Sequence, residues 1–272
     1  MLAKLKTIPL YALAAILLIF TGYPFLYMVA TSFKTQQMYF TDPFGLFGSL
    51  QFGNYIQAFE TGLATYFMNS VIVTVISVLL IVFIASLACY PLSRMKFRFS
   101  RLLLLVFVSG MMLPVHSTLI PIFILTSHMG LRDQLPALIG PYTAFNLPVS
   151  IFILSQFMSE ISREVEEAAE IDGCSHWRIF WNIVLPMVTP ALATLVIYNF
   201  LHVWTEFIFG LVLITSPENM TLPLGMQRFY GEFSVNVPAL MAALTLASLP
   251  IFVVYFMAQE KIVSGLAGGA VK

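Results

Sequence analysis

The chain has 272 residues, of which 59% are hydrophobic and 10% are charged, and its formal net charge is zero. A soluble domain carries about 25% charged residues, so this composition excludes an ordinary soluble protein and indicates a membrane protein. The zero net charge gives no reason to expect nucleic acid or a polybasic membrane tether as a partner.

Six apolar runs predict transmembrane helices, because a span needs about 20 apolar residues. They cover residues 8–30, 66–88, 102–125, 135–157, 187–214 and 238–257. The first run is longer than the apolar region of a cleaved signal peptide, so we expect it to remain as the first span. The sequence therefore predicts an all-α bundle of six transmembrane helices that forms one domain over residues 1–272.

The basic residues are unevenly divided between the two sides of this six-span topology. Ten lie on the side of the termini: Lys4, Lys6, Arg94, Lys96, Arg98, Arg101, Arg163, Arg178, Lys261 and Lys272. Three lie on the opposite side: Lys34, Arg132 and Arg228. By the positive-inside rule, both termini and the polar segment 160–186 are expected in the cytoplasm.

Prolines interrupt the third and fourth predicted spans, at Pro114, Pro121, Pro136, Pro141 and Pro148. Each removes a backbone hydrogen bond or bends a helix. This is tolerated in a membrane where neighbouring helices or a cavity satisfy the freed carbonyl groups. Hinge positions and ordinary packing positions both fit the pattern.

Residues 160–186 form the longest polar segment of the chain, and its residues predict two short helices with a bend. Ser162 is a suitable N-cap, Gly173 is a suitable residue to end the first helix, and Ser175 is suitable to cap a second one. The first helix is crowded with acidic residues. Such a face favours either a basic partner or simple solvation.

Three short patterns in this segment keep a common register: Glu167-Ala168-Ala169, Asp172-Gly173 and Ile183-x-Leu185-Pro186. Together they resemble the "EAA" loop of binding-protein-dependent ABC importer permeases, a coupling helix that docks into a groove of the cytoplasmic ATPase. The resemblance implies that Glu167, Ala168, Ala169, Asp172, Gly173, Ile183, Leu185 and Pro186 couple this chain to an ATPase. It further implies that Glu167 makes a charge-assisted contact with a basic residue of the ATPase. The alanines and the glycine would permit close helix approach.

Other features resemble the carbohydrate-uptake branch of that family, the maltose-permease type. They are Ser32-Phe33-Lys34, Asn54-Tyr55-x-x-Ala58-Phe59, Asn69-Ser70, the run Ala88 to Arg94, Met112-Leu113-Pro114 and the tail Gly265 to Lys272. Two positions depart from the family's pattern: Cys174, where alanine is usual, and Thr205, where many sugar permeases have asparagine.

The resemblance implies a type I ABC importer permease fold and a set of partners in a bacterial or archaeal cytoplasmic membrane. These partners are a second homologous permease, a cytoplasmic ABC ATPase dimer and an extracytoplasmic sugar-binding protein. The sequence contains no Gly-x-x-x-x-Gly-Lys-Ser/Thr loop, so ATP and Mg are expected on the ATPase and no cofactor on this chain. Cys89 and Cys174 are expected at different depths, which argues against a disulfide or a metal site.

Polar residues cluster in the fifth predicted span, where Asn199, His202 and Glu206 lie within eight positions. A glutamate in hydrocarbon is costly, so we expect Glu206 to face the bundle interior or a wet cavity. These residues are either candidates for the translocation path or structural groups, and His202 and Glu206 are spaced to pair with each other.

Two other function classes remain open at this point. An ion-driven secondary transporter of a small polar solute also shows intramembrane charge and broken helices. An intramembrane enzyme would need convergent titratable groups at one depth, for which only His202 and Glu206 are available. The sequence shows no Ser/His/Asp set and no paired-carboxylate pocket that would indicate catalysis.

Overall fold

The computed structural model describes residues 2–46, 50–95, 97–230 and 235–270, with side chains from residue 9 to residue 258 of these ranges. Within them the regular secondary structure is helical, apart from one isolated antiparallel bridge between Tyr230 and Val235. The prediction of an all-α protein is therefore confirmed.

The α-helices follow one another along the chain with short connections. They are α1 (Leu2–Ser32), α2 (Gln36–Thr41), α3 (Gly53–Glu60), α4 (Leu63–Arg94), α5 (Ser100–Ser109), α6 (Val115–His128), α7 (Pro136–Glu160), α8 (Arg163–Ile171), α9 (His176–Ile179), α10 (Leu185–Met187), α11 (Thr189–Trp204), α12 (Ile208–Leu213), α13 (Leu222–Gly225) and α14 (Val237–Ala270). A π-helical turn over Phe180–Val184 separates α9 from α10.

Four of the helical segments are long and apolar enough to cross a membrane by themselves: Pro9–Ser32, Leu63–Arg94, Pro136–Glu160 and Val237–Ala258. Two further spans arise if each of two bent pairs counts as one. The first pair, Ser100–Met112 with Val115–His128, is bent by 98°, and the second, His176–Met187 with Thr189–Trp204, is bent by 73°. Counted in this way, the described residues contain up to six spans, which is the predicted number, but the fifth covers residues 176–204 and not 187–214.

The bend in the third span has a local cause at Pro114. Leu113, which precedes the proline, is extended (φ −74°, ψ 120°), and Pro114 itself is extended as the N-cap of α6. A proline disfavours helical backbone at the preceding residue, so the helix must end there. Pro121 and Pro148, by contrast, lie inside α6 and α7. The prolines therefore divide between one sharp break and several packing positions.

The predicted fifth span over residues 187–214 is not a single helix, because it breaks at Val188 and again between Trp204 and Ile208. The Thr205 hydroxyl donates to the carbonyl of Leu201 at 2.8 Å. Glu206 Oε1 accepts from the backbone N–H of Phe209 at 2.9 Å and thus caps the start of α12. Side chains that bond to nearby backbone groups compete with helix continuation.

The described residues fall into two compact units. The first contains residues up to 67 together with 225–249, and the second contains 68–224 together with the segment from 250 onward. The interpretation of the whole chain as one transmembrane domain stays a prediction.

In the first unit, two of the motifs noted in the sequence meet. The side-chain amide of Asn54 donates to the carbonyl groups of Ser32 and Lys34 at 2.7 and 2.8 Å. The buried ammonium of Lys34 donates to the carbonyl groups of Asp42 and Pro43. These bonds fix the segment that follows α1.

The second unit has two apolar clusters, and both are built on α4 and α7. The first cluster includes Cys89 of α4, Leu154 of α7 and Phe180 of the π-helical turn. The second includes Leu138 of α7 and Leu213 of α12, together with residues of α4. Because α4 and α7 run along both clusters, they form the frame that carries α8.

At the turn between α6 and α7, a carboxylate holds two loops of the second unit together. Asp133 Oδ1 accepts from the backbone N–H groups of Thr215 and Ser216 at 2.8 and 2.9 Å, and the Ser216 hydroxyl donates to Oδ2. Partial burial opposes ionisation, but the hydrogen bonds from Ser216 and Thr215 outweigh it and lower the pKa of Asp133 to about 2.

Candidate coupling site

Helix α8 begins at the N-cap that the sequence predicts. The hydroxyl of Ser162 accepts from the backbone N–H of Glu164 at 3.3 Å. Glu164 and Glu166 lie in the first turn, where negative charge is favourable against the positive end of the helix dipole. The predicted start of this helix is confirmed.

The end of α8 is a Schellman turn centred on Gly173. The backbone N–H of Cys174 donates to the carbonyl of Ala169 at 2.9 Å, and that of Gly173 donates to the carbonyl of Glu170 at 3.0 Å. Gly173 has φ +79°, a left-handed conformation that a Cβ atom disfavours. The predicted stop at Gly173 is confirmed.

After the turn, Ser175 caps α9, since its hydroxyl accepts from the backbone N–H of Arg178 at 3.4 Å. The rings of Trp177, Phe180 and Trp181 then pack against one another, with centroid separations of 5.1 to 6.1 Å. Phe180 is buried and lies 5.3 Å from the ring of Tyr90 in α4. The aromatic cluster therefore attaches the segment after the bend to the bundle.

One face of α8 is exposed and carries most of its acidic groups. We call it the acidic face; it consists of Glu164, Val165, Glu167, Ala168, Ile171 and Asp172. Ile171 is 86% exposed. Val165 and Ile171 thus add exposed apolar groups to a face that is otherwise acidic, and a partner surface with both apolar and basic groups would complement it.

The predicted coupling residues divide between this face and the bundle. Glu167, Ala168, Asp172, Gly173 and Pro186 are exposed. A Cβ atom at Gly173 would meet nothing within 4 Å, so the surface around it is open.

Three other predicted coupling residues face inward instead. Ala169 is buried in the first cluster, and Ile183 and Leu185 are half-buried against the same cluster. Ala169 therefore allows α8 to approach the bundle closely, while Ala168 leaves the opposite face flat.

The sequence analysis missed a buried ion pair behind the acidic face. Glu166 points into the bundle, where its carboxylate Oε1 pairs with Nε of Arg94, the last residue of α4. Both side chains are almost fully buried, with 12% and 3% of their surface exposed. The signal available in the sequence was Arg94 itself, a basic residue that ends an apolar span.

A polar cavity of about 550 Å³ lies beside this pair, with Arg94, Glu166, Glu167, Glu170 and His176 among its lining residues. Glu170 Oε1 and His176 Nδ1 are 3.6 Å apart, and both side chains are at least half exposed. Within the ranges that the structure describes, no cluster of three or more His, Cys, Asp or Glu side chains is arranged to hold a metal ion.

The three candidate residues of the fifth span are not brought together. Asn199 is fully buried, and its amide donates to the Ser150 hydroxyl at 2.9 Å and to the Leu195 carbonyl at 2.8 Å. His202 is exposed, and its ring lies 4.3 Å from the ring of Tyr198.

Glu206, the third candidate, caps α12 with Oε1, while its buried Oε2 has no hydrogen bond within 3.5 Å among the described residues and lies near the Tyr142 hydroxyl. In the same described part of the chain, the acidic and basic side chains within 4 Å of each other are Arg94 with Glu166 and Glu170 with His176. His202 and Glu206 are not among them, so their i, i+4 spacing does not lead to a pair. The role of these three residues in a translocation path stays a prediction.

Residues 81–267 match the family described as "Binding-protein-dependent transport system inner membrane component". The match includes all of α8 and the turn that follows it. Arg94, Glu166 and the predicted coupling residues all lie within it.

The chain is similar along most of its length to proteins that carry transport names. It is 47% identical over 250 residues to a Caldicellulosiruptor sp. (strain Rt8B.4) protein named as the ABC transporter permease protein ORF2, covering 92% of this chain and 91% of that one. It is 32% identical over 274 residues to the trehalose/maltose transport system permease protein MalG of Thermococcus litoralis, covering 98% of each.

The fold is similar to a chain in the crystal structure of a bacterial ABC transporter involved in the import of the acidic polysaccharide alginate. The TM-score is 0.82 over 94% of this chain and 96% of that chain, at 22% sequence identity. At this identity the likeness establishes the fold, which is that of an ABC importer permease.

Proposed function

Because the chain belongs to the family of binding-protein-dependent transport system inner membrane components, we propose that it forms half of the translocation pore of an ATP-driven sugar importer. It is a multi-pass membrane protein and a permease subunit of an ABC importer. The proposal concerns its cargo, its partners and the way it is coupled to ATP.

The acidic face of α8 is the observation that carries the coupling proposal. It presents Glu167 and Ala168 of the "EAA" pattern to solvent, and Ile171 beside them is 86% exposed. Burying an isoleucine side chain contributes about 1.5–3 kcal/mol. The exposed carboxylates favour a groove with basic groups. A cytoplasmic ATPase with such a groove is the proposed occupant, and Glu167 is the residue proposed to meet its basic group.

The rigid attachment of α8 explains how docking would act on the pore. Ala169 and the π-helical turn pack into the cluster that α4, α7 and α11 share. When the ATPase subunits close on ATP, a pull on α8 would therefore reach three long helices. ATP and Mg are bound by the ATPase in this proposal, and this chain contributes no hydrolytic group.

A sugar is the proposed cargo, and two observations of sequence similarity support it. The T. litoralis relative is named a trehalose/maltose permease and aligns with 98% of this chain. The sequence features of the carbohydrate-uptake branch occur from residue 32 onward, and Asn54, Ser32 and Lys34 are joined by hydrogen bonds. A sugar-binding protein and a second, homologous permease complete the proposed importer.

Within the pore, His202 and Glu206 remain the proposed path residues, because His202 is exposed and Glu206 retains a buried oxygen without a hydrogen bond among the described residues. The full burial of Asn199 and its bonds to Ser150 and Leu195 favour a structural role for that residue. The proposed orientation has both termini in the cytoplasm, since ten basic residues fall on that side.

The proposal is tested by uptake of labelled trehalose and maltose into proteoliposomes that contain the complete complex. Import that requires ATP inside the vesicles and survives a protonophore supports it. Import that follows the ion gradient and ignores ATP would establish a secondary transporter instead. Glu167→Arg is expected to abolish the ATP-dependent import, and Glu218→Arg, a charge reversal at an exposed glutamate outside α8, serves as its control.

A further inference from the structure

Arg94 joins three helix ends at once. Its Nε pairs with Glu166 in the first turns of α8. Its Nη1 donates to the carbonyl groups of Met158 and Ile161 at 3.1 and 2.8 Å, and its Nη2 donates to the carbonyl of Ser162 at 3.4 Å. Met158 is in the last turn of α7, and Ile161 and Ser162 form the connection from α7 to α8.

Each of these contacts is electrostatically favourable. Carbonyl groups at the C-terminus of a helix lack intrahelical partners, and a cation there is stabilised by the helix dipole. A carboxylate in the first turn of the next helix is stabilised for the opposite reason. Arginine alone among the cationic side chains has enough fixed donors to serve all these acceptors together, whereas lysine is a point charge on a flexible stem.

A hydrogen bond and apolar packing also join α4 and α7 before α4 reaches Arg94. The buried thiol of Cys89 donates to the carbonyl of Ile151 at 3.2 Å. Ala85 of α4 and Leu154 of α7 lie in the same apolar cluster. Arg94 thus adds α8 to a pair of spans that pack as one body.

We propose that Arg94 is a positioning residue for transport, which with Glu166 makes α8, α4 and α7 move together when the ATPase acts. The inference rests on the proposed docking of an ATPase on the acidic face of α8. Glu166 is turned away from that face, so it transmits movement within the permease and does not contact the ATPase. The pair therefore has a role distinct from that of the exposed Glu167.

The experiment measures the distance between spin labels on α8 and α4 by pulsed electron resonance, in the purified complex with its ATPase. The labels are placed on Arg163→Cys and Phe83→Cys, because both side chains are exposed. The half-buried Cys174 is replaced by alanine, while the fully buried Cys89 is retained. Spectra are recorded without nucleotide and after trapping with ADP and vanadate.

The wild-type background is expected to give the same distance in both states, because α8 and α4 move as one. Arg94→Lys is expected to give a distance that shifts or broadens on trapping by about 2 Å or more, the scale of helix shifts in switching proteins. Arg98→Lys, the same exchange at an exposed arginine near the end of α4, is expected to behave as wild type.

Unchanged distances in Arg94→Lys overturn the inference, and so does a wild-type distance that itself shifts on trapping. If Arg94→Lys fails to assemble, Glu166→Gln decides, because it keeps the side-chain volume and an acceptor oxygen but removes the charge. A trapping shift in Glu166→Gln supports the inference, and none overturns it. Failure of the wild type to retain any ATPase overturns the proposed function and, with it, this inference.

Discussion

Replacing Gly173 tests whether the geometry at the end of α8 is needed for coupling. Its φ of +79° is left-handed, and a Cβ atom in that conformation costs about 1–2 kcal/mol. The Cβ atom would meet nothing within 4 Å, so a steric clash adds nothing to this cost. Gly173→Ala should therefore weaken the native turn by strain alone.

The expected consequence is measurable as binding. A cost of 1–2 kcal/mol corresponds to a factor of about 5–30 in an equilibrium constant. Strain in Gly173→Ala lowers the fraction of free protein that has the native turn, and the Kd of the solubilised protein for its ATPase is expected to rise by up to that factor, measured by titration with labelled ATPase. Gly173→Asn should cost less, because asparagine tolerates the left-handed region better than alanine does.

A matched control is Gly140→Ala in α7. Gly140 lacks the left-handed conformation, and its added Cβ atom would also meet nothing within 4 Å. This variant should bind the ATPase as the wild type does. Equal affinity for Gly173→Ala and the wild type would refute the view that the Schellman turn presents the docking surface.

Three further predictions concern stability, measured by thermal unfolding in detergent. Arg94→Met leaves Glu166 buried without its cation and should lower the free energy of unfolding by about 3–5 kcal/mol. Arg98→Met should change it little. Equal melting temperatures of the two variants would contradict a stabilising buried pair. Asp133→Asn should cost about 1 kcal/mol at pH 7 after allowance for solvent screening. Because the pKa of Asp133 is lowered to about 2, its stabilising effect is present above pH 4 and is lost as the pH falls towards 2. The melting temperatures of the wild type and Asp133→Asn should therefore converge near pH 2. A difference that does not change with pH would contradict the stabilisation of the Asp133 carboxylate by these hydrogen bonds. Gly225→Ala would place a Cβ atom 2.6 Å from Cγ of Tyr66. This overpacking should lower the free energy of unfolding by about 1–3 kcal/mol. A variant as stable as the wild type would show that the Tyr66 ring moves away freely.

The local signals in the sequence were sufficient for the boundaries of α8. Ser162 and Gly173 act through contacts within a few residues, so their roles can be derived from neighbouring positions alone. Most spans were predictable for a similar reason, since a membrane requires about 20 apolar residues wherever the chain crosses it, but the fifth begins at His176 and not at Met187.

The bends could not be located in the same way. Pro114 and Pro148 look alike in the sequence, yet one lies at a 98° break and the other inside α7. The difference depends on whether neighbouring helices can satisfy the freed carbonyl groups. That is a tertiary property, which a single sequence does not contain.

The sequence alone also did not show that Glu166 faces the bundle while Glu167 faces solvent. Both are acidic, and the family pattern marks only Glu167. Helical periodicity places Glu166 on the same side as Ala169, three positions later, and therefore towards the bundle. What makes that side tolerable for a carboxylate is Arg94, which is 72 residues away in the sequence. Long-range partners of this kind become visible only in the folded chain.

The most direct test of the account is retention of co-expressed ATPase by the detergent-solubilised protein. The wild type and Glu218→Arg should retain the ATPase, and Glu167→Arg should lose it, because a positive charge would then face the basic groove. Equal retention by Glu167→Arg and the wild type, or none by the wild type, would contradict the claim that the acidic face of α8 couples this permease to ATP.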